Sequence, residues 1–227
     1  MLNGKYRIRT RSVALAMSLL TLTASASSLA CGGDWYPEVQ VDPRIHGMQQ
    51  AETSLQKGDY VAAAGAVIRM MPHIARLKPS ADPLVARGQR VLSVAIARAN
   101  GTLALEREVP TEVLGHWQGK NALDRQKNLA WSVGALRTEL DQKKDDPALT
   151  TELGEALSRV EGGSSEARAL LESLAQRDLV ASAEGYRVLA QLRLEQGDQK
   201  GRELAMKRCE SMAGSSKVCA TDAPRAS

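Results

Sequence analysis

The chain has 227 residues, 43% of them hydrophobic, 25% charged and 3% aromatic, with 18 Gly, 8 Pro, 3 Cys and no Phe, and its formal net charge is +4. This composition excludes a disordered chain, a collagen and a disulfide-dense miniprotein. The scarcity of aromatic residues beside abundant Ala, Leu, Arg and Glu favours helices over sheet.

The first thirty residues divide sharply. Lys5, Arg7, Arg9 and Arg11 make a basic head, residues 12–29 are uncharged with their densest apolar stretch at 13–22, and small residues lead up to Cys31. That order of regions is a secretory signal, so residues 1–30 are expected to be cleaved. All four cations of the head are removed with it, leaving 26 basic and 26 acidic residues. The basic balance therefore belongs to export, and no nucleic-acid partner is expected.

A Cys at the first position after the cut resembles a bacterial lipoprotein, which implies lipidation of Cys31 and attachment to a membrane through that anchor. Gly32 and Gly33 follow with no Asp at the second position. Within that resemblance this implies sorting to the periplasmic face of the outer membrane. Ser28 stands where lipoproteins prefer Leu, so the alternative is a soluble periplasmic or secreted protein. Residues 31–41 read as a tether, with Trp35 and Tyr36 placed either at the headgroups or on the first helix.

Asp42-Pro43, Asp82-Pro83 and Asp146-Pro147 are three helix starts, because Asp accepts orphan amides and Pro has none to satisfy. Helices are predicted over about 43–57, with Ile45, Met48 and Leu55 near one face, and from Asp59 to a stop at Pro72, with Tyr60, Ala64, Val67, Ile68 and Met71 inward. A third covers 83–99 with Leu84, Val91, Ala95 and Ile96 inward, ended by Asn100-Gly101. Residues 102–120 are irregular. Asn121 caps a long polar helix to about 144, with Leu129, Trp131, Val133, Leu136 and Leu140 as its stripe. Leu149, Leu153, Ala156, Leu157 and Val160 mark the next helix. Gly162-Gly163 breaks it, and Ser164 or Ser165 caps one bearing Ala167, Leu170, Leu171 and Leu174. Residues 183–196 and a last helix capped by Asp198, with Leu204, Ala205, Cys209 and Met212 inward, complete about eight helices in antiparallel pairs with short turns. Residues 214–227 read as a flexible tail.

Three segments share a pattern. Residues 51–72 run from Ala51 through the turn Gly58-Asp59-Tyr60 to Ala63; residues 150–177 carry Gly154, Leu157, Gly162 and Ala167; residues 186–209 carry Tyr186, Leu189-Ala190 and Gly197-Asp198. Gly162 and Gly197 lie 35 apart, close to the period of about 34 of the tetratricopeptide repeat (TPR) family. The chain resembles that family, with departures at Gly47, where the frame wants an aromatic, and at Arg202, where it wants a small residue. The resemblance implies an all-α, TPR-like solenoid over 42–213 that binds a protein partner of the cell envelope along its A helices. The candidate contacts are Gln49, Gln50, Thr53, Arg87, Arg90, Thr150, Glu152, Arg187, Gln191 and Glu195.

No catalytic set, phosphate loop, cofactor motif or metal-ligand spacing is present: His46, His73 and His116 fall in three different segments. A scaffold without catalysis or cofactor is the expectation. The alternative is a helical enzyme or small-molecule binder using the 102–120 segment around His116 and Trp117. Cys209 and Cys219 are read as a disulfide, or else Cys209 is a small apolar core residue.

Overall fold

The computed structural model describes residues 42–78, 82–103, 105, 117–214 and 218–220. The signal segment, Cys31, the tether with Trp35 and Tyr36, His116 and most of the tail lie outside the described residues.

Among the described residues the chain is all-helical, with eight α-helices and no strand. They are α1 (Pro43–Gln56), α2 (Tyr60–Met70), α3 (Pro83–Arg98), α4 (Ala122–Gln142), α5 (Pro147–Leu157), α6 (Ser164–Gln176), α7 (Ala183–Glu195) and α8 (Gln199–Met212). The three Asp-Pro starts behave alike: Asp42, Asp82 and Asp146 each accept from the backbone N–H two residues on. Asp59, Asn121, Ser182 and Asp198 cap α2, α4, α7 and α8 through an N–H three residues on. Each such cap is worth about 1 kcal/mol. One start differs from expectation. The cap of α6 is Gly163, without a side-chain bond, and Ser164 is already helical. A Cβ on Gly163 would lie 2.2 Å from the Leu157 carbonyl oxygen, so the backbone turns there too tightly for a side chain. The short 3-10 turn Ile74–Arg76 after Pro72 was not expected from sequence.

Helices pack as pairs, α1 on α2, α3 on α4, α5 on α6 and α7 on α8, and α2, α4 and α6 also touch the helix that follows. The first helices of the pairs touch in sequence, α1 on α3, α3 on α5 and α5 on α7. Helices α1, α3, α5 and α7 thus form one layer, and the packing is solenoid-like.

Small residues make the close crossings possible. Ala51, Ala63 and Ala64 are fully buried. A Cβ on Gly88 would meet Met71 Cε at 2.5 Å and Ile74 Cδ1 at 2.9 Å, and one on Gly154 would meet Leu171 Cγ at 2.8 Å. Beside Arg202, where the resemblance expects a small residue, Gly201 is buried. Gly47, the other departure, is where Met70 packs, its sulfur 2.1 Å from a Cβ built there.

Two apolar clusters result. One joins α1–α3 to Leu103, Leu105, Trp117 and Leu129; the other runs from Ala97 and Val133 to Cys209 and Cys219. Each fully buried Leu or Ile contributes about 2–3 kcal/mol. Leu204 and Met212, expected inward, are exposed at 64% and 46%. Only Gly201, Ala205 and Cys209 of α8 are buried, because among the described residues no helix packs on its outer side. Cys209 and Cys219 are joined, S–S 1.96 Å, and both are buried, which pins Val218 and Cys219 against the second cluster.

Candidate functional site: the A-helix layer

Helix α3 sits in the middle of the layer. Arg87, Arg90, Val91, Val94 and Arg98 fall at i, i+3, i+4, i+7 and i+11, so they share one face. Glu52 on α1 stands on one side of that face, and Glu152 and Glu155, one turn apart on α5, stand on the other. Arg87 pairs with Glu52 through both oxygens. Arg90 grips Glu152 at 2.7 and 3.0 Å, and Arg98 grips Glu155 at 2.9 and 3.2 Å. The guanidinium fork is satisfied in each case by one carboxylate, the geometry in which such pairs are strongest.

The chain of polar contacts continues to α7. Glu155 also accepts from Ser182 Oγ, and the Thr151 hydroxyl accepts from the Ala181 N–H at 3.0 Å. Glu184 pairs with Arg187 and lies 3.7 Å from Arg159. At the other end Arg44 joins Asp42 and Asp82 at 2.7 and 2.8 Å, linking the starts of α1 and α3. A ladder of ion pairs and hydrogen bonds therefore ties the layer α1, α3, α5 and α7 together in order.

Two clefts flank the ladder. A groove of about 780 Å³ runs over α3, with Glu52, Leu55 and Gln56 from α1, Glu139, Gln142 and Lys143 from the end of α4, and Glu152 from α5. Its floor is Val91 and Val94, both buried. A smaller cleft of about 460 Å³ lies between the α1–α2 turn and the start of α7, where Tyr60, Arg98, Ser182 and Glu184 meet Met212 and Val218.

Burial shapes the electrostatics. It pushes the Glu152 carboxyl above the ordinary carboxylate range despite the Arg90 guanidinium. Burial pulls on Arg90 in the opposite sense, but the Glu152 hydrogen bond together with the charges of Glu152, Glu139 and Asp146 offsets it and leaves the guanidinium above its usual value. Burial likewise raises the Tyr60 phenol.

Of the residues singled out from sequence, Arg87, Arg90 and Glu152 meet in the groove. The others do not join them. Gln49, Gln50 and Thr53 are exposed on α1, and Thr53 and Thr150 turn their hydroxyls back onto the carbonyls of Gln49 and Asp146. Gln191 and Glu195 bond one another along α7 at 3.3 Å. Arg187 was read as a groove contact and is instead buried at 5% exposure against Glu184; a surface contact is not available to it. Glu52, Glu139, Lys143, Glu155 and Arg98 were missed. The available signal was the Arg stripe at 87, 90 and 98 opposite Glu152 and Glu155 at i, i+3.

Trp117 packs edge-on against Trp131, ring centres 5.1 Å apart, and is buried. No group of three potential metal ligands occurs among the described residues, and no helix among them is long and apolar enough to cross a membrane. No protein-family model, curated protein or solved structure matches the chain.

Proposed function

We propose that this protein is an exported, lipid-anchored, TPR-like scaffold without catalysis, which holds a protein partner of the cell envelope on its A-helix layer. The observation that carries the reading is the groove over α3, where side chains from four helices converge on a surface built of consecutive A helices. The repeat pattern at Ala51, Gly58, Gly154, Gly162 and Gly197 supports it, as does the TPR-like order of helix contacts. The address rests on the basic head, the uncharged run and Cys31 followed by two glycines. In this reading the lipid at Cys31 holds the scaffold on the periplasmic face of the outer membrane.

The test of the address is Cys31→Ser. Wild-type protein is expected to sediment with membranes and to take up radiolabelled palmitate, and the variant to do neither. Wild-type protein that stays soluble like the variant and takes up no palmitate would overturn the anchor and leave a soluble exported scaffold, the reading that Ser28 at the lipoprotein Leu position favours.

A further inference from the structure

We infer that the partner enters the α3 groove as an extended polypeptide segment carrying no net charge, an inference that rests on the scaffold reading above. The groove holds three carboxylates, Glu52, Glu139 and Glu152, and three cations, Arg87, Arg90 and Lys143. Every one is already paired: Glu52 with Arg87, Glu152 with Arg90 at 2.7 Å, and Glu139 with Lys143 at 2.9 Å. Arg90 additionally feels Glu139 and Asp146.

Among the described residues of the groove the charge sums to zero, and each cation already has a carboxylate partner. An acidic ligand competes at each cation with a carboxylate already in place, at Arg90 a bidentate and partly buried one, and a basic ligand faces the same competition in reverse. A polyanion such as nucleic acid finds no net positive charge to draw it in. What the groove offers instead is an apolar floor already largely dry and two exposed amides at its lips, Gln56 and Gln142. A primary amide donates and accepts at once, which matches the alternating N–H and C=O of an extended backbone.

The pairing also makes charge preference switchable. Removing one carboxylate unmasks one guanidinium, so Glu152→Gln is expected to turn a charge-indifferent groove into one that selects acidic segments.

The experiment pans a phage-displayed library of random dodecapeptides against the full-length purified chain. Enriched peptides are counter-screened on Ala86→Trp, which fills the groove, and on Gln142→Trp, which blocks it from an exposed lip should the first variant fail to fold. The expected peptides are groove-dependent, near zero net charge, and change affinity less than about twofold between low and high salt. On Glu152→Gln, acidic peptides are expected to gain about tenfold in affinity relative to wild type, about 1.4 kcal/mol; Glu52→Gln, at the more exposed pair, serves if Glu152→Gln does not fold. Groove-dependent peptides that are strongly acidic or basic would overturn the neutral-segment inference and leave the scaffold reading standing. Enriched peptides indifferent to both blocking variants, or no enrichment at all, would overturn the groove as a docking site and the inference with it.

Discussion

Arg98 and Glu155 illustrate how single residues hold this layer together. Glu155 is 2% exposed and Arg98 16%, so neither charge tolerates the loss of the other. Glu155 has a further donor in Ser182, the cap of α7, so one carboxylate connects three A helices. Arg98→Ala is expected to cost about 3–5 kcal/mol in urea unfolding because it strands a buried carboxylate. The double change Arg98→Met with Glu155→Leu is expected to recover most of that loss, since apolar replacement of a buried pair is often neutral. A single variant near wild-type stability would contradict this role. The sequence shows that these residues are charged but not that they are buried: a Glu on an amphipathic helix ordinarily faces water. Arg187 was misplaced for that reason. Its long charged side chain looks solvated in the sequence, and only packing of α7 beside Glu184 and Arg159 makes it internal.

At the scale of elements, the caps and turns were the most legible part, because their chemistry is local. All three Asp-Pro starts cap, Asn100 and Gly101 end α3 with φ of 53° and 77°, and the repeat turns at Gly58, Gly162 and Gly197 have φ of 76–79°. Apolar periodicity located the inward faces of α2, α5 and α6, yet it also assigned Leu204 and Met212 inward, since periodicity cannot tell whether a further helix follows to cover a stripe. The Gly163 cap was missed because the backbone turn that brings it against the Leu157 carbonyl is not marked by residue type. Glycines of different origin should respond differently. Gly88→Ala drives a methyl against Met71, Ile74 and Met48 and is expected to cost about 1–3 kcal/mol, eased by the flexible Met ends. Gly162→Ala meets nothing within 4 Å, so its cost is only that of a left-handed backbone, about 1–2 kcal/mol. In a Met71→Ala background the cost of Gly88→Ala is expected to shrink and that of Gly162→Ala to stay the same; thermal melts of wild type, the three single variants and the two double variants decide it.

For the whole molecule, the all-α architecture was legible because helix propensity, capping and short turns point the same way. The site was legible only in part. Arg87, Arg90 and Glu152 were singled out, but the pairing that neutralises them depends on how α1, α3, α4 and α5 lie side by side. The same pairing gives the molecule its character, a stack of helix pairs in which two apolar clusters, both touched by Val160, are also tied together by buried ion pairs.

The central claim is that the A-helix layer over α3, and not another face, meets the partner. Site-specific photo-crosslinking in intact cells tests it most directly, with a benzoyl-phenylalanine placed at Gln142 on the groove lip and, separately, at Glu203 on the outer side of α8. A discrete protein adduct is expected from position 142, lost when Ala86→Trp is added, and no such adduct from position 203. An adduct from 203 but not 142, or one from 142 indifferent to filling the groove, would contradict it.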